Sequence, residues 1–304
     1  MSRATECGTA ELIDLGMKMP GPDLVSPELA LTPGESFADQ LTELRPFYVP
    51  PAGDSRLRRR LASLENDRTR LSYSRENVVI TSGALRGFSL VVDHLVGNMS
   101  QPCRFVEVVP SYPLLAGRVR DVIERQGGNI QQDLVQIELR PDFRTIDPAA
   151  IEESVEDNTI VYLTNPGNPT GKYLTASTIA KIIEVCSSRR NSYVILDECA
   201  DVPFEQWGRD RGLSRSPSLI RIQSFSKQYL LAGFRLGYVI AEDALAKSIA
   251  NEYSFSDGNA PIVANELLRQ YLDNGHLLST VAKASSTHVA NAVDLLRAQG
   301  VEYV

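Results

Sequence analysis

The sequence is poor in the residues that build staples and metal sites. Its four cysteines, Cys7, Cys103, Cys186 and Cys199, are scattered and form no C-x-x-C pair. A disulfide framework is not expected in a chain of 304 residues, and free buried thiols in a cytoplasmic protein are. The three histidines, His94, His276 and His288, lack ligand spacing, so no metal site is expected. No apolar run approaches the roughly 18 residues of a membrane-spanning helix. The opening stretch, MSRATECGTAELIDLG, has no long apolar core and no small-residue cleavage site, so no signal peptide is expected. Excess positive charge is missing as well. The formal net charge of −7 argues against a nucleic-acid partner, because a phosphate backbone needs a basic face. Internal repeats and low-complexity segments are absent.

What is present is an ordinary globular composition, 43% hydrophobic and 23% charged. Short β-rich runs alternate with helical patterns. NVVIT precedes a helix-like segment from Leu85 to about Val96, in which Leu85, Phe88, Val92 and Leu95 recur at helical spacing. FVEVV precedes PSYP, TIVYLT precedes NPGNPTG, SYVILD precedes ECADVPF, and LIRIQS and GYVIA flank SFSKQYLLAGFRLGY. These runs are continuous rather than alternating, which suits strands buried on both faces. The expected fold is α/β, with a mostly parallel central sheet and helices on both faces. Residues 1–45, rich in Pro and Gly, read as an extended arm or part of a small domain. Residues 46–275 read as one large domain. Residues 276–304 read as a connecting helix, stopping at Gly300, followed by the start of a further domain that is largely missing.

In open α/β sheets ligands bind at the carboxyl ends of strands. Gly83, Tyr112, Asn168, Asp197 and Lys227 all fall just past a strand. Lys227, read alone, fits a surface lysine as well as an amine that forms a Schiff base; Arg235 nearby raises the cost of its ammonium form. Asp197 ends a buried run, where a carboxylate is costly unless paired, either structurally or with a cationic ring nitrogen. TSGAL joins a strand to a helix start, a ready anion site or a plain turn. GNPTGK superficially resembles a phosphate loop, but it is one residue short between its glycines and Tyr173 follows Lys172. Asn168 offers an amide donor and Tyr112 a flat ring. Together these groups are what a phosphorylated pyridine aldehyde needs. In that reading Ser224, Ser226 and Arg235 hold its phosphate, and Gly233 lets the backbone pass close.

The ordered set TSGA, PSYP, NPGNPTG, LDE and SFSKQYLLAGFRLGY resembles the class I/II aminotransferases, fold-type I enzymes that use pyridoxal 5'-phosphate. The resemblance covers nearly the whole chain, and N-P-T-G and S-x-S-K followed by G-x-R-x-G are its most specific parts. It implies that residues 46–275 bind this cofactor and that the substrate is an amino acid. Lys227 would form the Schiff base and move protons at the substrate α-carbon. Asp197 would keep the pyridine nitrogen protonated, Asn168 would donate to O3', and Tyr112 would stack on the ring. Gly83 and Ala84 would offer backbone N–H groups to the phosphate, with Ser224, Ser226 and Arg235. FYVPPAGDSRLRRRLA resembles the segment whose tyrosine, here Tyr48, reaches the neighbouring subunit's phosphate, which implies a homodimer. IDLGMKMPGPD resembles the arm that folds over the substrate, which places Gly16 and Lys18 at the substrate.

Three positions depart from the family pattern. Ala200 stands where a tyrosine usually helps the asparagine bind O3'. Lys18 stands where the arm usually carries its second glycine. The sequence reaches Val304 before any segment matching the C-terminal small domain whose arginine clamps the substrate carboxylate. Transamination is the default expectation. Decarboxylation, elimination or cyclisation on the same cofactor, and a non-catalytic protein of this fold, are the alternatives.

Overall fold

The computed structural model describes residues 49–99, 103–125, 127–128, 133–200, 211–229 and 231–274, and beyond them 280, 287, 290–291 and 293–300. The expected arm with Gly16 and Lys18, the tyrosine Tyr48, and most of the expected helix leading to Gly300 lie outside the described residues.

A seven-stranded sheet runs in the order β1-β7-β6-β5-β4-β2-β3. Its strands are β1 (Val78–Thr81), β2 (Arg104–Val109), β3 (Leu134–Glu138), β4 (Thr159–Thr164), β5 (Tyr193–Asp197), β6 (Leu219–Ser224) and β7 (Gly237–Ile240). The pairings from β3 through β2, β4 and β5 to β6 are parallel. β7 is antiparallel to both its neighbours, β6 and β1. The mostly parallel sheet expected from continuous apolar runs is therefore present, and β1, β4, β6 and β7 are buried throughout. β3 is an edge strand that those runs do not announce, because only Ile137 within it is buried.

Successive strand residues face opposite ways. On one face Phe105, Ile160, Tyr162, Ile195, Ile222 and Val239 pack with Phe88, Val92 and Leu95 of α2 (Ala84–Gly97) and Ile249 and Tyr253 of α7 (Asp243–Ser256). On the other, Val106, Val161, Leu163, Val194 and Leu196 pack with Ile179, Ile182 and Ile183 of α5 (Ala176–Ser187). At the β1–β7 end, Val78, Ile80, Tyr238 and Ile240 meet Leu57 and Leu61 of α1 (Ser55–Thr69) and Leu268 and Leu272 of α8 (Ile262–Asp273). Each such side chain contributes about 1.5–3 kcal/mol on burial. Helix starts are fixed locally: Asp54 accepts from the N–H groups of Arg56 and Leu57 at 2.8 and 2.9 Å, and Thr175 caps α5. Further helices among the described residues include α3 (Pro113–Arg125), α4 (Pro148–Ser154) and the single turn α6 (Phe225–Gln228).

Register then decides what meets at the carboxyl edge. Thr164 lies beside Asp197, Asp197 beside Ile222, Ser224 beside Gly237, and Gly237 beside Thr81. Because β7 is reversed, the residues before it reach this edge rather than those after it. That reversal brings Arg235 to the turn that follows β1.

Candidate active site

A cavity of about 600 Å³ opens on this edge, the size of a small-molecule site. Ala84, Tyr112, Asn168, Asp197, Ser224, Ser226, Lys227 and Arg235 all line it. Gly83 immediately precedes Ala84 as the N-cap of α2.

The anion-binding corner is built from the turn after β1. Gly83 has φ +92° and its N–H donates to the Thr81 carbonyl at 2.8 Å, so this expected phosphate donor is engaged within the turn; no side chain caps the helix start that follows. The exposed Arg235 sits in the left-handed region at φ +52°, just past a short turn over Ala232–Phe234. Its Nη1 donates to the Ala232 carbonyl at 3.1 Å. Its Nη2 would lie 3.1 Å from a Cβ on Gly83, so the guanidinium lies against the helix start. Gly237 makes the approach possible, since a Cβ there would stand 2.6 Å from both the Ala84 nitrogen and the Gln223 carbonyl oxygen. Gly233, expected to let the backbone pass close to the phosphate, lines the same cavity, and a Cβ there would meet no protein atom within 4 Å. Tyr253 of α7 braces the same turn: its hydroxyl lies 2.8 Å from Ser82 Oγ and accepts from the Ser82 N–H at 3.2 Å.

Lys227 stands on α6. Ser224 ends β6 and caps this turn by accepting from the Ser226 N–H at 3.1 Å. Burial lowers the Lys227 pKa, the Cys199 side chain opposes the shift, and Arg235 adds to it. Such a lysine has more of its amine neutral at a given pH than an exposed one, the form that attacks a carbonyl. Asp197 faces the same space. Its Oδ1 accepts from the Cys199 N–H at 2.8 Å, and its Oδ2 accepts from the Tyr162 hydroxyl at 2.9 Å. Desolvation and the Asp197 charge push the Cys199 thiol well above its ordinary value, which keeps it neutral. Asn168 is oriented through its backbone, whose N–H donates to Thr164 Oγ1 at 3.3 Å. Tyr112 packs half-buried against the core after β2. Ala200 lines the cavity with a methyl group and no hydroxyl.

A carboxylate, a partly desolvated amine and an anion cradle thus share one cavity, and this donor set fits a phosphorylated pyridine aldehyde. Tyr162, Thr164, Cys199 and Tyr253 also belong to this neighbourhood and are missed by strand-end reasoning. Tyr162 lies within a strand, and Tyr253 lies in a helix far along the chain. Only the register between β4 and β5 and the docking of α7 place them.

The class I and II aminotransferase family profile matches residues 35–303. Curated relatives include an aspartate aminotransferase of Sulfolobus acidocaldarius, 26% identical over 272 residues, which are 84% of this chain and 65% of that protein. Histidinol-phosphate aminotransferase 2 of Carboxydothermus hydrogenoformans is 30% identical over 208 residues, 66% of this chain and 51% of that protein. The chain spans about half to two thirds of the length of these relatives. The solved aspartate aminotransferase of Thermotoga maritima superimposes with a TM-score of 0.73 at 20% identity, covering 94% of this chain and 72% of that one, which shows a shared fold. Among the described residues no helix is long and apolar enough to cross a membrane. On the match across residues 35–303, the chain belongs to the class I and II aminotransferases, a family of pyridoxal 5'-phosphate-dependent enzymes.

Proposed function

We propose that the protein transfers the amino group of an amino acid to a keto acid, using pyridoxal 5'-phosphate held by Lys227. The observation that supports this reading is the meeting of Lys227, Asp197 and the Gly83–Arg235 corner in one cavity. When bound, the cofactor supplies an aldehyde for imine chemistry and a protonated ring that takes up the electrons of the broken Cα–H bond. The chain's residues do the rest. Lys227 Nζ takes the proton from the substrate α-carbon. Asp197 would pair with the ring N–H, the Asn168 amide would donate to O3', and Tyr112 would cover a ring face. The Ala84 N–H, Ser224, Ser226 and Arg235 would bind the phosphate, and the Gly83 N–H would join them only by giving up its bond to the Thr81 carbonyl. Gly16 and Lys18 meet the substrate from the arm.

Two copies assemble in this reading, with Tyr48 of each reaching the other's phosphate, and the protein works in the cytoplasm. Light scattering on the cofactor-loaded protein checks the assembly; a loaded monomer at low concentration contradicts it. Borohydride reduction and peptide mapping test the core of the reading and should place a pyridoxyl group on Lys227. Amino acids added without keto acid should then release one keto acid per bound cofactor. Label on another lysine, or none, overturns the reading. A second reading, decarboxylation, elimination or cyclisation, draws on the methyl group of Ala200 in the cavity. Release of carbon dioxide or a side-chain leaving group, with no keto acid from simple deamination, favours it.

A further inference from the structure

We propose that Tyr162 is a positioning residue for this reaction: its hydroxyl fixes the Asp197 carboxylate by a hydrogen bond and turns it toward the cofactor's ring nitrogen. The inference rests on the function proposed above.

Tyr162 lies on β4, opposite Ile195 of β5, two residues before the Thr164–Asp197 pair. It therefore shares the sheet face of Asp197 and reaches along that face to Asp197 Oδ2 at 2.9 Å. Its ring is fixed from below by an edge-on contact with Phe88, centroids 5.3 Å apart. Only 4% of Tyr162 is exposed, so water does not compete for the hydroxyl proton.

The direction of that proton is also settled. A second carboxylate, Glu107 of β2, stands directly across from Tyr162 in the sheet. Both Glu107 oxygens are engaged elsewhere: Oε1 accepts from the Ser111 hydroxyl, and Oε2 accepts from Gln136 Nε2 at 2.7 Å. The Tyr162 proton is thus committed to Asp197. Burial, then the charge and hydrogen bond of Asp197, raise the Tyr162 hydroxyl well above its ordinary range, so it remains a donor at any working pH.

The chemical consequence concerns a shared proton. A carboxylate facing a pyridine nitrogen can leave the proton on the ring or take it. Donors to the carboxylate favour its charged form, and the proton then stays on the ring. Both Asp197 oxygens accept, Oδ1 from the Cys199 N–H and Oδ2 from the Tyr162 hydroxyl, and the Cys199 thiol adds a further hydrogen bond. The backbone donor cannot be removed by substitution, but the hydroxyl can. With both oxygens held, the carboxylate is also fixed in rotation.

The test is Tyr162→Phe, which keeps the ring against Phe88 and deletes one oxygen. The full chain is loaded with pyridoxal 5'-phosphate carrying ¹⁵N in its ring. The wild-type nitrogen resonance should be that of a protonated pyridine. In Y162F it should move toward the unprotonated position. Exchange of the substrate α-proton with deuterium should slow about ten- to a hundredfold, the worth of one hydrogen bond to a charged group. The borohydride label should remain on Lys227 and the thermal midpoint should stay within a few degrees. A packing role alone would leave the nitrogen resonance where it is. An unchanged resonance and an unchanged exchange rate in Y162F overturn the proposal, with the function intact. Failure of the wild-type protein to carry the label on Lys227 overturns the function, and this inference with it.

Discussion

Asp197 and Glu198 are neighbours in the chain and point to opposite sides of the sheet. Asp197 keeps one side toward the cavity and accepts from the Tyr162 hydroxyl and from Cys199. Glu198 is 1% exposed and enclosed. Its Oε2 accepts from Arg221 Nε and Gln223 Nε2, both at 2.8 Å, and from Arg68 Nη2 at 3.2 Å, while Arg211 Nη1 lies 3.5 Å from Oε1. The cluster continues through Arg221 to Glu65, at 2.8 Å, and from Glu65 to the Tyr238 hydroxyl at 2.6 Å. It ties α1 and the loop at Arg211 to β5, β6 and β7. The two carboxylates differ in what is left over. Glu198 is enclosed by cationic and amide groups the fold supplies, three of them on Oε2, with Arg211 alone near Oε1, so it serves the fold. Asp197 accepts hydrogen bonds on both oxygens and faces space where a partner fits. Adjacent residues thus divide chemistry from architecture, and the sheet itself separates the two.

Substitution should make the two fail in different ways. The largest effect is expected from Asp197→Asn. Loss of the α-proton should slow by three to four orders of magnitude, about 4–5 kcal/mol, while the urea midpoint barely moves. Stopped-flow exchange measurements paired with urea titration check both halves. Glu198→Gln reverses the pattern. Breaking a buried ion cluster by removing one charge costs about 3 kcal/mol or more. Its urea midpoint should fall, and the folded fraction should still carry the cofactor on Lys227.

Acid should find the same cluster. Burial opposes ionisation of Glu65, but Arg221 and Arg68 outweigh it and hold the carboxyl at about 2, below its ordinary 4.5. A carboxyl lowered by folding stabilises the protein above its unfolded pKa and loses that contribution as pH falls through its folded one. Stability should therefore decline between about pH 4.5 and pH 2, and Glu65→Gln should flatten this part of the curve in thermal melts.

Smaller effects belong to the cavity side alone. Gly83→Ala places a methyl group 3.1 Å from Arg235 Nη2 at φ +92°, so cofactor affinity should fall while the sheet is retained. Left-handed strain of about 1–2 kcal/mol corresponds to roughly tenfold in a titration. Ala200→Tyr is the mildest. It adds a donor to O3', and the absorbance of the Lys227–cofactor linkage should titrate about one to two pH units lower. Coincident curves, with the new hydroxyl seen at O3', would remove Ala200 from consideration.

What the sequence reveals follows from the same division. Asp197 and Asn168 are legible because each follows an apolar run, and burial on both faces is what such a run reports; Ser224 and Lys227 are legible from the end of the β-rich run LIRIQS and the motif that follows it. β3 is not legible, since an edge strand needs little burial and Leu134–Glu138 shows only one buried position. The tight approach at Gly237, where β7 crosses the start of α2, is not legible either, because it depends on the pairing of β7 with β1 and β6. Tyr162 looks like any aromatic in a buried strand. Its partner is set by pairing across β4 and β5, which no local pattern encodes. The cluster around Glu198 is hidden for the same reason, with its members spread from α1 to β7.

The reversed strand has a consequence for assembly. Gly83 and Arg235 come from distant stretches of the chain, and they meet only after β7 has inserted between β6 and β1. Contacts of such wide separation close late, because loop entropy is lost before they form. The anion corner is therefore absent from any intermediate in which β1 has yet to join the sheet. An anion bound between Gly83 and Arg235 would latch β1 to the segment entering β7, and by mass action it would lengthen the lifetime of the closed sheet without touching the rest of the core.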